Sequence, residues 1–470
     1  MSLTAKTNQE DTIVALATAP GSGAIGVIRL SGSKAIDLAN RVFHGKDLTT
    51  QQSHTIHFGT IRDGHEVLDE VLVSLFVGPH SYTKEHVVEV SVHNSDYIIG
   101  RIIQLFIRHG ARAARAGEFT LRAFLNGGMD LSQAEAVADL IASENRASHE
   151  IAMNQMRGGI SNKLKEMREQ LINFASLLEL ELDFGEEDVE FADRSQFEQL
   201  VGALQHHITG LIDSFAYGNA IKHGVPVVII GKPNAGKSTL LNTLLDEDRA
   251  IVSDTAGTTR DTIEEAINLE GITFRFIDTA GLRETTDAVE AIGVTKAKEK
   301  VKQAKVLLYL YDEYDSTAAD VIDQVKALYY EGLIVILVRN KIDLEGGYFP
   351  NAMDQEIKTQ LFTDYTDTLV AISAKSAESV AGLKAALLDK IREMAVGDQQ
   401  ILTNTRHVEA LQSALGALQE VEQGLRGGLS GDLLAHHVRG ALRHISSITG
   451  DVDVDRDILG TIFGKFCIGK

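Results

Sequence analysis

The sequence predicts a multidomain chain. It has an α+β N-terminal domain, a discontinuous α-helical domain, and an α/β phosphate-loop domain inserted into the helical one. Three observations predict this. The strand-like run at 225–230 leads into the motif GKPNAGKS at 231–238. Alternating apolar runs near the N-terminus are typical of strands. Apolar residues recur every three or four positions on both sides of the phosphate-loop segment, which predicts amphipathic helices.

The N-terminal α+β domain is expected over residues 1–120. The runs DTIVALAT, GAIGVIRL, EVLVSLFV and HVVEVSVH have strand character, and a helix is predicted at about 96–109.

The helical domain is expected in two parts, 121–220 and 391–470. The second part carries one apolar stripe formed by Val408, Leu411, Leu415 and Leu418. If the two parts pack together, the segment 221–390 is an insertion whose ends lie close in space. This segment is expected to alternate helices with strands, in runs such as 272–277, 306–311 and 333–338.

Five motifs follow one another within this inserted segment. The phosphate loop is followed by GTTRD at 257–261, DTAG at 278–281, NKID at 340–343 and SAK at 373–375. One such motif is weak on its own, whereas five in this order indicate a domain that binds and hydrolyses GTP.

The characteristic residues of the phosphate loop each have a physical role. Gly231 and Gly236 permit a tight loop whose backbone N–H groups point at phosphate oxygens. A helix that begins near Lys237 adds the positive end of its dipole. Lys237 is predicted to reach the β- and γ-phosphates, and the Ser238 hydroxyl to hold Mg²⁺.

The next two motifs supply the switch. Thr259 is the predicted second Mg²⁺ ligand, and Asp278 is expected to hold the metal through water. The Gly281 N–H is expected to contact the γ-phosphate. A segment ordered by that phosphate and released on hydrolysis is a common switch.

The last two motifs predict the base pocket. Asp343 matches the N1–H and N2–H₂ edge of guanine, which adenine lacks, so ATP should be rejected. Asn340 and the Ala374 N–H are expected to complete the pocket.

The predicted GTP and GDP contacts come from all five motifs. They are Asn234, Ala235, Gly236, Lys237, Ser238, Thr239, Ser253, Asp254, Thr255, Ala256, Gly257, Thr258, Thr259, Asp278, Thr279, Ala280, Gly281, Asn340, Lys341, Asp343, Ser373, Ala374 and Lys375.

Leu282 stands where Ras-like switches carry a glutamine that orients the attacking water. Leucine cannot orient water, so another polar group must do so or catalysis must be weak. The following segment, 283–290, offers carboxylates.

Composition limits the function classes. The net charge is −21, so the chain is not an obvious nucleic-acid binder and any RNA contact must use a local patch. The acidic stretch 179–193 is expected to be a solvated helix end and loop. No signal peptide or membrane-spanning run is evident. Cys467 is the single cysteine, which fits a reducing cytoplasm.

The whole chain resembles the tRNA-modification GTPase family called MnmE or TrmE. The resemblance is carried by DTIVALATAPGSGAIGVIRLSG at 11–32, ARAGEFTLRAFLNGGMDLSQAEAVADLI at 114–141, DFGEEDVEF at 183–191, IVSDTAGTTRD at 251–261 and the C-terminal CIGK at 467–470.

This resemblance implies potassium-dependent GTP hydrolysis by nucleotide domains that pair across their switches. Potassium would take the place of an arginine finger. The implied K⁺ ligands are the Asn234 side chain, the Ser253 and Thr255 carbonyls, and Thr258. Glu290 matches the family's catalytic carboxylate, which acts through water in place of the missing glutamine. Taken alone, Asn234 could equally be a simple loop residue.

The resemblance also implies a folate-binding-like N-terminal domain that holds 5-formyl- or methylene-tetrahydrofolate at a homodimer interface. Arg29, Glu89 and Lys470 fall on the implied folate contacts, although Arg29 and Glu89 read alone as ordinary surface charges. The family commonly has a lysine where this chain has Gly128, so one expected contact is missing as a side chain.

Cys467 has two readings that stay open. The thiol could sit near the one-carbon unit and join Glu290 and Lys237 among the catalytic residues, or it could be a small buried apolar residue near the terminus.

The implied activity adds an aminomethyl or carboxymethylaminomethyl group at C5 of the wobble uridine, U34, of certain tRNAs. It requires an FAD-dependent partner called MnmG or GidA, with which a heterotetramer is expected, because no Rossmann signature is present here. Two alternatives remain. One is a ribosome-associated regulatory GTPase. The other is a folate-dependent transferase with a regulatory GTPase domain.

Overall fold

The computed structural model describes residues 11–21, 23–183, 194–248, 265–277, 298–344, 350–362, 364–394 and 400–450. The chain forms two compact units. The first contains residues 1–141, 154–201 and 413–470, and the second contains 142–153 and 202–412. An α+β part, long helices and a mostly parallel α/β sheet are all present, and the predicted fold class is confirmed. The four predicted domain boundaries stay a prediction.

The first unit contains a seven-stranded sheet in the order β3-β4-β5-β6-β2-β1-β7. All neighbours are antiparallel except β1 and β7. The strands are β1 Thr12–Leu16, β2 Ile25–Ser31, β3 Phe43–His44, β4 Thr55–Asp63, β5 Glu66–Phe76, β6 Val87–His93 and β7 Ala111–Ala113.

Helices α1 (Ala35–Val42) and α2 (Asp96–Arg108) cover one face of this sheet. Successive strand residues point to opposite faces, so every second residue joins that core. The other face carries exposed apolar side chains. These are Ile25, Ile56, Phe58 and Leu72.

The remaining helices before the second sheet are α3 Glu118–Leu125, α4 Leu131–Ile141, α5 Arg146–Met156, α6 Gly159–Asp183 and α7 Arg194–His223. The last two helices of the described chain are α12 Thr405–Arg426 and α13 Gly431–Thr449. Within the first unit α6 packs on α13, and Arg168 Nε donates to Ser446 Oγ at 2.9 Å. Helices from before and after the nucleotide segment therefore pack together, as predicted.

The second unit contains a six-stranded sheet in the order β13-β12-β11-β8-β10-β9. All neighbours are parallel except β9 and β10. The strands are β8 Val225–Gly231, β9 Glu265–Leu269, β10 Ile272–Phe276, β11 Val306–Tyr311, β12 Ile334–Arg339 and β13 Thr368–Ala371. The helices around it are α8 Lys237–Asp248, α9 Ala318–Leu328, α10 Ala352–Leu361 and α11 Ala377–Glu393.

Apolar cores lie on both faces of this sheet, so its central strands are apolar without alternation. The chain enters and leaves the sheet at neighbouring points, because the Leu402 N–H donates to Ser214 Oγ at 3.1 Å. This is the arrangement expected of an inserted domain.

The element predictions hold with small differences. The helix at 96–109 and the strands at 272–277, 306–311 and 333–338 are present within one residue at each end. Strands β3, β4, β7, β9 and β13 were not among those predicted. In the stripe on α12, Leu415 is only half-buried, and Ala414 takes the buried position instead.

Candidate nucleotide-binding site

The predicted nucleotide motifs meet at the carboxyl edge of the second sheet. The phosphate loop follows β8, NKID follows β12, and SAK follows β13. Parallel strands end on the same edge, and ligands of open α/β sheets bind outside the carboxyl ends of their strands. The described chain beside β8 reaches Ile277, whose N–H donates to Val227 O at 2.9 Å, directly before the DTAG motif.

The phosphate loop has the backbone that its glycines predict. Gly236 has φ +99°, and a Cβ there would collide with the Asn340 side-chain amide. A Cβ on Gly231 would collide with the Leu310 carbonyl. Asn234 has φ 59°, in the left-handed region that asparagine tolerates better than most residues. The loop is thus a tight backbone cradle of the kind that fits a phosphate chain.

Lys237 begins helix α8 and is partly buried. Its ammonium donates to the carbonyl oxygens of Gly231 and Lys232, both at 2.8 Å. Burial lowers the pKa of Lys237 below its usual value. The ammonium therefore already lies inside the loop, where an anionic phosphate would favour its charged form.

Asn340 joins three of the motifs. Its side-chain nitrogen donates to Ala235 O at 2.7 Å, and its side-chain oxygen accepts the Ala374 N–H at 2.9 Å. The Asn340 side chain is 3% exposed. Thr243 of α8 reinforces this connection by donating its hydroxyl to Ala374 O at 2.6 Å. The predicted pocket residues Asn340 and Ala374 are therefore brought together with the phosphate loop.

The other base-pocket residues lie beside this connection. Lys341 has φ 67°, and its ammonium lies 2.8 Å from buried Asp312. Asp343 is exposed on a short 3₁₀ turn at 342–344, where its carboxylate is accessible. Ser373 is buried, and Lys375 is exposed.

Two features of this edge were not predicted. Lys232, inside the phosphate loop, donates to Asp315 O and to Asp320 Oδ2, both at 2.8 Å. The hydrogen bond from Lys232 lowers the pKa of Asp320 to about 2. Lys232 and Lys341 thus attach the phosphate loop and the base motif to the same segment after β11.

The second unpredicted feature is a buried ion pair directly before the NKID motif. Arg339 is fully buried and donates to Asp354 Oδ2 at 2.5 Å. The Tyr311 hydroxyl donates to the other oxygen of Asp354 at 2.8 Å. Asp354 also completes the capping box of α10 with Asn351. These contacts fix the ends of β11 and β12, from which the base motif projects.

Several predicted site residues lie outside the described residues. They are Ser253, Asp254, Thr255, Ala256, Gly257, Thr258, Thr259, Asp278, Thr279, Ala280, Gly281, Glu290, Cys467 and Lys470. Of the predicted ligands for Mg²⁺ and K⁺, the described ones are Ser238, partly buried in the first turn of α8, and Asn234, exposed on the loop.

The predicted folate residues lie in the first unit. Arg29 and Glu89 face each other across β2 and β6, and their side chains form an ion pair at 2.7 Å. The Arg29 guanidinium lies 5.6 Å from the ring centres of both Tyr82 and Phe119. The ring of Tyr82 is 37% exposed, whereas Phe119 is fully buried. Gly128 closes the end of α3, and its N–H donates to Ala123 O at 2.7 Å.

Within the described part of the chain, no group of three or more His, Cys, Asp or Glu residues could hold a metal ion. No helix among the described residues is long and apolar enough to cross a membrane.

The site combines a phosphate loop with a guanine-recognition motif, and one asparagine connects the two. Together, at the carboxyl edge of a doubly wound sheet, these features define a P-loop GTPase. The model described as "MnmE helical domain" matches residues 131–467, and "GTP-binding protein TrmE N-terminus" matches residues 12–128. The chain belongs to the MnmE family of tRNA modification GTPases.

Curated relatives match this chain over nearly their full length. The tRNA modification GTPase MnmE of Cytophaga hutchinsonii is 52% identical and is covered completely, as is this chain. The protein of the same name from Flavobacterium johnsoniae is 53% identical, over 98% of this chain and 99% of that protein. Among solved structures, a single-residue variant of Aquifex aeolicus Era bound to GDP.AlF4- is 28% identical, over 41% of this chain and 66% of that chain, with a TM-score of 0.27.

Proposed function

We propose that this chain is a potassium-dependent GTPase in tRNA modification. With an FAD-dependent partner of the MnmG or GidA kind, it adds an aminomethyl or carboxymethylaminomethyl group at C5 of U34 in certain tRNAs. The observation that carries the nucleotide part is Asn340, whose side chain holds the phosphate loop and the base motif together. Family membership supports the tRNA part.

Each residue of the nucleotide site has a task in this proposal. Lys237 would exchange its two loop carbonyls for β- and γ-phosphate oxygens, while Ser238 would hold Mg²⁺ together with Thr259 and, through water, Asp278. Asp343 would accept the two guanine N–H groups. Glu290 would orient the attacking water.

Potassium would stabilise the charge that develops on the transferring phosphate. Its proposed ligands are Asn234, Ser253, Thr255 and Thr258. The exposed side chain of Asn234 fits this task, because a neutral amide oxygen suits a large monovalent cation and the residue stands on the phosphate loop itself.

The first unit supports the remaining parts of the proposal. The exposed apolar face with Ile25, Ile56, Phe58 and Leu72 suits a homodimer contact. Arg29 and Glu89, with the proposed help of Lys470 and Cys467, would hold a formyl- or methylene-tetrahydrofolate. The exposed ring of Tyr82 beside Arg29 suits its pteridine. A reducing cytoplasmic location is part of the same proposal, supported by the single cysteine.

GTP turnover in matched KCl and NaCl, at fixed Mg²⁺ and ionic strength, tests the mechanism. We expect potassium to raise kcat by about tenfold or more, since about 1.4 kcal/mol of transition-state stabilisation gives a factor of ten. Asn234→Gly should abolish the difference, because glycine keeps the φ of 59° without strain and removes only the amide. Asn242→Ala, an exposed asparagine on α8, is the matched control.

Equal rates in the two salts would remove the potassium mechanism. The tRNA part has its own test, which is nucleoside analysis of U34 in cells that lack this chain. We expect U34 without the C5 substituent, restored by the wild-type chain. Fully modified U34 in those cells would contradict the proposed activity.

A further inference from the structure

Asp312 is a buried carboxylate directly after β11, and it belongs to none of the predicted nucleotide motifs. Its side chain is 1% exposed. A carboxylate is stable inside a fold only where hydrogen bonds or an opposite charge compensate for its lost hydration. The two oxygens of Asp312 have different partners, and these partners connect it to both halves of the nucleotide site.

One oxygen of Asp312 closes a turn. Oδ1 accepts the backbone N–H groups of Tyr314 and Asp315, at 2.9 and 3.0 Å. An aspartate that bonds the backbone two or three residues further on is a common way to close a turn. The turn 312–315 is therefore fixed at the end of β11 by this carboxylate.

The other oxygen faces the base motif. Oδ2 lies 2.8 Å from the Lys341 ammonium, whereas the exposed carboxylate of Asp315 lies 3.8 Å from it. Lys341 has φ 67°, a conformation that residues with a Cβ rarely adopt and that persists only where neighbouring contacts enforce it. The ion pair with Asp312 is such a contact, and it holds Lys341 inside the NKID motif.

The same turn is attached to the phosphate loop. Lys232 donates to the Asp315 carbonyl and to Asp320 Oδ2, both at 2.8 Å. The turn that Asp312 closes therefore receives one lysine from the phosphate loop and one from the base motif. Loss of the Asp312 charge would release Lys341 and leave the partners of Lys232 in place.

We propose that Asp312 is a positioning residue for guanine-nucleotide binding. Its negative charge keeps the Lys341 ammonium at the end of β11, so that the NKID backbone presents Lys341 and Asp343 to the base in one fixed arrangement. Because only 1% of its side chain is exposed, Asp312 acts through Lys341 and does not contact the nucleotide itself. The inference rests on the nucleotide contact predicted for Lys341.

A simpler role for Asp312 is to close the turn and nothing more. Asparagine separates the two roles, because its side-chain oxygen can accept the same two N–H groups while the charge is removed. A residue that only closes the turn tolerates Asp312→Asn, whereas a residue that positions Lys341 does not. In the second case, the effect on nucleotide affinity also requires the Lys341 ammonium.

The experiment is equilibrium binding of GDP to the full chain in a double-mutant cycle of Asp312→Asn and Lys341→Met, with thermal unfolding measured in parallel. We expect Asp312→Asn alone to weaken GDP binding about tenfold, within the range for residues in direct contact. In the Lys341→Met background, the same substitution should change the affinity by less than about twofold, because no ammonium is left to position.

Two other carboxylates control for the loss of a negative charge near an anionic ligand. Asp315→Asn changes an exposed carboxylate of the same turn that lies farther from the ammonium, and it should weaken GDP binding by less than about threefold. Asp323→Asn changes an exposed carboxylate on α9 and should leave the affinity for GDP unchanged.

Wild-type affinity in the Asp312→Asn variant would overturn this inference and leave the nucleotide site standing. An equal loss of affinity in both backgrounds would also overturn it, because Asp312 would then act on the fold and not through Lys341. Wild-type affinity in Lys341→Met would remove the predicted contact of Lys341, and this inference with it. No binding of GDP by the wild-type chain would contradict both the nucleotide site and the inference.

Discussion

The two sheets hold their candidate sites in different ways. In the parallel sheet, the site lies at one edge, and loops after successive strands deliver its residues. In the antiparallel sheet, the site lies on a face, where Arg29 and Glu89 pair across strands and a turn adds Tyr82. An edge site needs contiguous motifs, whereas a face site needs residues that are far apart in sequence. This is why the sequence describes the first site so much better than the second.

The two sites also differ in how their charges are held. Arg339 and Asp354 form a pair that is completely buried, whereas the side chains of Arg29 and Glu89 are 21% and 26% exposed. The first pair is therefore expected to be important for folding, and the second for ligand binding.

The largest effect is expected from Asp354→Ala. The substitution would leave the buried Arg339 guanidinium with only the more distant Glu313 carboxylate, at 3.4 Å, and remove the partner of Tyr311. This should cost about 3–5 kcal/mol in the free energy of unfolding. Urea unfolding measures this loss of stability. The transition of the nucleotide-binding unit is identified as the one that GDP moves to a higher urea concentration. Asp323→Ala, an exposed carboxylate on α9, should stay within about 0.5 kcal/mol. Equal stability of the two variants would show that the buried pair contributes little.

Asp343→Asn should come next. Asparagine cannot accept both guanine N–H groups, so the affinity for GDP should fall about tenfold to a hundredfold, the range for charged hydrogen bonds. The new amide donor matches the C2 carbonyl of xanthine, so affinity for xanthosine diphosphate should rise. Competition binding with the two diphosphates measures both changes. If both affinities fall together, the carboxylate supports the loop and does not read the base.

The pH dependence of GDP affinity should show a smaller effect from Lys237. Burial lowers the pKa of this lysine in the structure, whereas bound phosphate favours its charged form. The affinity for GDP should therefore have its full value below the lowered pKa of Lys237. It should fall as the pH rises through this pKa, by at most about tenfold per pH unit. Calorimetry in two buffers of different ionisation enthalpy should detect proton uptake in this range. Lys237→Met should abolish the uptake, and its persistence there would assign the proton to another group.

The smallest effect on stability is expected from Glu89→Gln. Because this ion pair is partly solvated, its loss should cost less than about 1 kcal/mol. Thermal unfolding, with Glu70→Gln of β5 as the exposed control, measures the difference. A loss of more than about 2 kcal/mol in the free energy of unfolding would show that the Arg29–Glu89 pair behaves like a buried ion pair. The two sheets would then not differ in how their charges contribute to stability.

The sequence predicted the parts of the site that depend on local chemistry. Gly236 and Lys237 occupy the backbone and helix positions expected from the motif alone. The network of Arg339 and Asp354 could not be predicted, because it joins residues on separate elements whose packing only the fold determines.

Asn340 holds two loops through hydrogen bonds, and this affects how mutations of the nucleotide site in this family are interpreted. Its amide donates to Ala235 O and accepts from the Ala374 N–H. An aspartate in its place could not donate, and a serine is too short to reach both partners. Replacing Asn340 would therefore remove hydrogen bonds from two loops at once. A lower nucleotide affinity of such a variant could then come from the disturbed loops as well as from a lost contact to the base. Asp343, which is exposed and does not join these loops, is the cleaner reporter of base recognition.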